Sequence, residues 1–121
     1  TVEGTILKGD LGKGTNTNSS SRSHARSMGR STDDAGHTRA KELGGSGGKK
    51  YIFPQSSNVN RGQFRVFEQR VYNLVDTSSG TVTFKQTYSY RTPTSTRPTK
   101  VRYEVFEDGV SVMDRTFKNP K

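Results

Sequence analysis

The chain has no cysteine and no tryptophan. The lack of cysteine excludes disulfide scaffolds, CxxC zinc sites and thiol nucleophiles together. Apolar material is also scarce: hydrophobic residues make up 26% of 121, where globular domains reach roughly 45–50% on a count that includes glycine. No apolar run approaches the roughly 20 residues that cross a bilayer, and this piece contains no signal-peptide pattern. Acidic groups are few: eleven Asp and Glu face twenty Lys and Arg, a net charge of +9.

The length fits one domain, 1–121, and the composition predicts a modest packed core carrying long polar loops. Disorder is the competing outcome for so polar a chain, and the clustering of Phe, Tyr and Val after residue 50 opposes it there. Residues 1–60 hold nine basic and five acidic groups, and residues 61–121 hold eleven and six. A positive field spread over both halves suits a polyanion, because each neutralised phosphate releases condensed counterions. Charge alone does not separate that partner from a basic solvated surface. The start at Thr1 reads as a piece excised or processed from a longer protein.

Residues 1–8 alternate loosely and predict an edge strand. Residues 9–32 are rich in Gly, Ser and Asn, hold Arg22, Arg26 and Arg30, and read as a long basic loop. Leu43 before Gly44-Gly45 marks the end of a short helix with a glycine cap. Residues 51–58 read as a short extended segment broken by Pro54. Phe64, Phe67, Val71 and Leu74 recur at helical spacing and predict one main helix over 60–75, with Asn58 or Asn60 at its cap. Alternation over 81–90 and 100–117, with Asp108-Gly109 between two runs, predicts an antiparallel meander over 80–118.

Two histidines are present. His24 sits among Ser and Arg; His37 ends the run Asp33-Asp34-Ala35-Gly36-His37. Asn60 follows 23 residues after His37 (60 − 37). A histidine at a hairpin end, a connecting loop and then a helix with an amide is the pattern of a ββα-metal site. An imidazole titrating near about 6.5 takes a proton from water at neutral pH. A hard cation on the other side of a phosphate neutralises charge on the leaving oxygen, and an Asn carbonyl oxygen is a suitable ligand for it.

The run from Asp33 to Gln69 resembles the DNA/RNA non-specific endonuclease family of the ββα-metal (His-Me finger) superfamily, in the compact form found as C-terminal nuclease domains of bacterial polymorphic toxins. Asp34, Gly36 and His37 match its D-R-G-H motif. Pro54-Gln55 matches a P-Q segment, and Asn60, Gly62, Phe64 and Glu68 match N-x-G-x-aromatic-x-x-x-E. The resemblance implies an α+β fold: a ββα-metal nuclease core at 33–76 with one main helix, preceded by a strand and basic loop at 1–32 and followed by the C-terminal antiparallel β-meander. It implies an Mg²⁺-dependent endonuclease, with Mn²⁺ as an alternative, that hydrolyses phosphodiester bonds of DNA, with RNA as a second substrate and little sequence preference. By the same resemblance, His37 is the general base, Asn60 the metal ligand, Glu68 a group that orients the metal's hydration shell, and Asp34 a residue that fixes the loop presenting His37. Gly36 allows close backbone approach. The context implied is a toxin domain secreted or translocated into a target cell, with a cognate acidic immunity protein as partner.

The motif's Arg is Ala35 here, so the charge-stabilising arginine has to come from elsewhere. Arg30 is the first candidate for that catalytic role. Arg22, Arg26 and Arg39, with Arg61 and Arg65, are the candidates for gripping phosphates. Plain structural alternatives stand beside these: Asn60 as a helix cap, Glu68 paired with Arg65 or Arg61 on an exposed flank, Gly44–Gly48 as loop only, and Tyr88, Tyr90 and Tyr103 as strand packing instead of base-stacking groups. A non-catalytic basic nucleic-acid-binding module is the alternative function.

Overall fold

Strands form where apolar and polar residues alternate, and helices where apolar residues recur every three to four positions. In the computed structural model, which describes residues 1–121, the elements run β1 (Val2–Ile6), α1 (Ser19–Met28), β2 (Asp34–His37), β3 (Ile52–Gln55), α2 (Ser57–Arg61), α3 (Gln63–Thr77), β4 (Val82–Ser89), β5 (Lys100–Glu107) and β6 (Val110–Lys118). Single 3-10 turns lie at Lys8–Asp10, Lys41–Leu43 and Lys49–Tyr51.

Two sheets result. One has the order β1-β4-β5-β6, all antiparallel, and the other is the antiparallel ribbon β2–β3. The meander expected over 80–118 is present, with Asp108 and Gly109 both at positive φ in its tight turn. β1 is an edge strand, paired only to β4. The order ββα followed by the meander places the fold in the α+β class.

The apolar face of α3 lies on the meander. Phe64 meets Phe117 with ring centroids 5.0 Å apart, and Phe67 meets Tyr103 at 4.8 Å. Phe53 from the ribbon meets Tyr88 from β4 at 5.0 Å, so ribbon, helix and sheet share one core. The face closes with Val75, four residues after Val71, while Leu74 is only partly buried. Tyr88 and Tyr103 are therefore packing residues, and burial pushes both phenols well above their ordinary range. Tyr90 is exposed.

Three expectations need correction. The segment 9–32 is not loop throughout: residues 19–28 are α1. Asn18 caps that helix, accepting from the Ser21 N–H at 2.8 Å, while the Ser21 hydroxyl accepts from the Asn18 N–H at 2.9 Å. Its buried face is only Ser21, Ala25 and part of Met28, too small an apolar stripe to show as periodicity. The main helix is interrupted at Gly62, which separates α2 from α3, and neither Asn58 nor Asn60 caps it: Ser56 and Gly62 hold the two cap positions. Pro54 does not break its segment but sits inside β3 opposite Ala35, which a two-stranded ribbon tolerates because each strand has an open edge.

Candidate active site and nucleic-acid interface

The ribbon and α2 carry the candidate groups. His37, at the end of β2, and Asn60, inside α2, line one open cleft of about 290 Å³ together with Asn16, Lys41, Glu42, Arg61, Arg65 and Glu68. Five of the expected site residues thus converge: His37, Asn60, Arg61, Arg65 and Glu68. Asp34 stands behind them. It accepts from Asn60 Nδ2 at 2.9 Å and from Arg61 Nε and Nη2 at 3.0 and 2.9 Å. Its side-chain partners are thus on α2, not on the loop that presents His37.

The Asn60 amide is oriented by that bond. A carboxylate only accepts, so Nδ2 is the atom turned to Asp34 and Oδ1 is left without a protein donor. Inside α2, with its side chain committed to Asp34, Asn60 is not a cap. The oxygen left free is the type a hard cation takes.

His37 is oriented by a different segment. Its Nε2 lies 2.9 Å from the Thr15 carbonyl oxygen. A carbonyl only accepts, so Nε2 carries the proton and Nδ1 keeps the lone pair in the neutral ring. Thr15 is itself clasped by the glycine run. Its N–H donates to the Gly45 carbonyl at 2.9 Å, and its hydroxyl accepts from the Gly47 N–H at 3.0 Å. A Cβ on Gly47 would lie 2.2 Å from the Asn16 carbonyl oxygen, so only glycine lets the two segments come this close. The run Gly44–Gly48 is a packed clasp, more than a loop. Gly36 is less strictly constrained, since a Cβ there would meet a side-chain end, Gln55 Oε1, at 2.3 Å. The close approach is to the Gln55 side chain on the partner strand.

Glu68 is half-buried and enters no ion pair. Burial pushes its carboxyl up, Glu42 pushes it further, and Arg65 pulls it back, leaving it at about 8. The paired exposed-flank reading therefore fails for Glu68. A half-buried carboxyl without a fixed cation, near an unpartnered amide oxygen, is a donor set that fits a divalent ion. No group of three or more His, Cys, Asp or Glu gathers anywhere, so a cation here would rest mainly on Asn60, Glu68 and solvent.

The arginines divide. Arg61 is held on Asp34 but keeps 73% of its side chain exposed, and Arg65 is exposed in the same cleft. Arg39 is committed to Asp10 at 2.9 Å and to the Leu43 carbonyl at 2.7 Å. Arg22 and Arg26 lie exposed on α1, with Arg22 donating to the Thr17 carbonyl at 3.1 Å. Arg30 lines a different hollow. Ala35 is buried with Ala25 and Ile52 where α1 covers the ribbon, so the helix takes the space an arginine would need. Thr15, Asn16, Lys41 and Glu42 were not anticipated. Only the glycine run hinted at Thr15, because a backbone carbonyl leaves no mark in side-chain chemistry.

A family model described as DNA/RNA non-specific endonuclease matches residues 4–109. The chain is 42% identical over 118 residues to probable deoxyribonuclease RhsA of Dickeya dadantii (strain 3937), covering 98% of this chain and 8% of that protein. It therefore spans less than a tenth of that relative's length. Its fold is similar to crystal structures of NucA from Streptococcus agalactiae, with a magnesium ion bound and with no metal bound. Each gives a TM-score of 0.63 at 20% identity over 74% of this chain and 48% or 49% of the other.

Proposed function

Since the chain belongs to the DNA/RNA non-specific endonuclease family, we propose that it cuts DNA, and RNA as a second substrate, by metal-dependent phosphodiester hydrolysis with little sequence preference. The observation that carries this reading is the pair that lines one cleft: His37 with Nδ1 left as its acceptor, and Asn60 with Oδ1 left free.

His37 Nδ1 takes the proton of the attacking water, and the Thr15 carbonyl stabilises the resulting imidazolium through Nε2–H. Asn60 and Glu68 would hold the cation, Mg²⁺ or Mn²⁺, which supplies neutralisation of charge on the leaving oxygen. Asp34 holds Asn60 and Arg61 in register. Arg61, Arg65 and Lys41 attract and orient the phosphate, and Arg61 takes the charge-stabilising role left open by Ala35. The roles given to these groups are all on the phosphate backbone, in keeping with weak sequence preference.

We further propose that the chain acts as the toxin domain of a much longer protein, delivered into a target cell and held in check by an acidic immunity protein over the positive cleft. The small share of the relative it matches and its charge of +9 support this.

The test is incubation of plasmid DNA and of RNA with the chain in Mg²⁺, Mn²⁺ or EDTA. Cutting is expected with metal and not with EDTA, and His37→Ala is expected to abolish cutting yet retain binding. Binding without cutting by the wild type under every divalent metal would falsify the enzyme and leave a binding module. Growth arrest on expression in cells by the wild type but not by His37→Ala is the outcome expected of a toxin; equal growth with both removes that role.

A further inference from the structure

A second basic hollow, of about 480 Å³, is lined by Arg30, Arg91, Arg97 and Lys121 with Ser95 and Thr96, with no Asp or Glu among its lining residues. It shares no lining residue with the cleft of His37 and Asn60. The two are linked at their backs. Asp33 fixes Arg97 at 2.7 and 3.0 Å, while its neighbour Asp34 fixes Arg61. Arg97 is spent further on the carbonyls of Asn119 and Pro120, at 2.7 and 3.0 Å, and serves as the rigid floor. Thr96 ties the 92–99 loop to the end of α1 through the Met28 carbonyl. Arg30, Arg91 and Lys121 are exposed and enter no ion pair.

We propose that this hollow is a second backbone subsite, which takes phosphates of the bound nucleic acid away from the bond to be cut. Its chemistry differs from that of the cleft in the needed direction. The cleft mixes Lys41, Arg61 and Arg65 with Glu42 and Glu68, a set suited to a cation and a phosphate together. The hollow has no Asp or Glu in its lining and three cations outside any ion pair, so it attracts phosphate without a metal. Its free cations stand apart on an open surface, and four of the five N–H donors of its one rigid arginine are already used. A small free anion therefore finds no converging N–H groups, whereas a polymer can set successive phosphates against separate point charges.

The inference rests on the cleft being a nucleic-acid site, and a length series separates the two. Binding of fluorescent oligonucleotides of about 4 to 16 nucleotides is measured by anisotropy in EDTA over a range of NaCl, for the wild type and for Arg30→Gln/Arg91→Gln. On the longest strand the double variant is expected to bind about tenfold more weakly, with a salt slope lower by about 1.4, near 0.7 for each phosphate that is no longer neutralised. On the shortest strand the two are expected to agree within about twofold, because so short a strand does not reach past the cleft. A charge-matched control, Arg70→Gln/Lys85→Gln, is expected to keep the wild-type slope.

An unchanged slope on the longest strand overturns the subsite. So does an equal loss at every length, or the same loss in the control, since either would mean a general field effect. Competition by inorganic phosphate beyond that of chloride at equal ionic strength, lost in the double variant, would show a free-phosphate site and overturn it as well. A wild type that binds no oligonucleotide at any length sinks both readings. Failure to cut in Mg²⁺ with the length rule intact would sink the nuclease alone and uphold the subsite.

Discussion

Asn60 donates its amide to Asp34 across 2.9 Å, from the inside of α2 to the first residue of β2. The same carboxylate holds Arg61 through two nitrogens. One buried-side acceptor thus sets the direction of two neighbouring side chains, an amide oxygen and a guanidinium, that would face opposite charges of a phosphate and its counter-ion.

Removing that amide tests the cation site directly. Asn60→Ala is expected to weaken Mn²⁺ binding, followed by electron paramagnetic resonance in the absence of nucleic acid, by roughly tenfold or more. Asp34→Asn, which leaves the oxygen of Asn60 free to turn, is expected to have a smaller effect in the same direction. Equal Mn²⁺ affinity in wild type and Asn60→Ala would remove Asn60 as a ligand.

Thr15→Val keeps the carbonyl that holds His37 but removes the hydroxyl gripped by Gly47. Looser positioning of the base is expected to lower kcat by about tenfold with KM nearly unchanged. Nitrogen chemical shifts of His37 should move from a single Nε2–H tautomer towards a mixture. Thr15→Ser, which restores the hydroxyl, is expected to recover both. Full activity with a mixed tautomer in the valine variant would contradict the clasp.

Glu68 gives a pH-dependent stability of known sign. Its carboxyl titrates at about 8 in the fold against about 4.3 in an unfolded chain. The unfolded state therefore ionises first, and this group costs stability as pH rises from about 4 to 8. Glu68→Gln is expected to melt a few degrees above the metal-free wild type at pH 8, on the order of 1 kcal/mol, and to match it near pH 4. Equal melting temperatures at both pH values would mean that Glu68 is ionised freely in the fold.

Asp33 has the opposite sign. Burial raises its carboxyl, but the hydrogen bond and charge of Arg97 and the Arg30 N–H outweigh that and hold it below the ordinary value. Its contribution is complete above about pH 5 and is lost as pH falls through the folded value. Asp33→Asn leaves Arg97 largely buried and unpaired and is expected to cost about 3 kcal/mol at pH 7. The gap from wild type is expected to narrow as pH falls below about 4. Denaturant titrations at pH 7 and pH 3 measure both, and an unchanged gap would assign the loss to packing alone.

The legible parts of the sequence were those with repeated side-chain signals. Phe64, Phe67 and Val71 announced α3, and alternation with Asp108-Gly109 announced the meander. The order His37, Asn60, Glu68 marked a site whose members do meet in one cleft. What stayed hidden had a different physical origin. The helix α1 buries little more than Ala25, and its start depends on reciprocal bonds between Asn18 and Ser21 that composition alone makes look like loop. The Thr15 carbonyl is the same atom in every residue type. The gap at Ala35 was visible, but its reason, a helix lying over the ribbon, was not.

Asn119 donates to the carbonyls of Pro54 and Pro98 and accepts from the Ser56 N–H, joining the ribbon and the start of α2 to a segment more than sixty residues further along the chain. On a ribosome, every residue of the cleft is synthesised well before this bolt exists. The segment that aligns β3 with α2 cannot be secured until Asn119 has emerged, so the cleft is expected to take its final shape only after the whole meander has been synthesised.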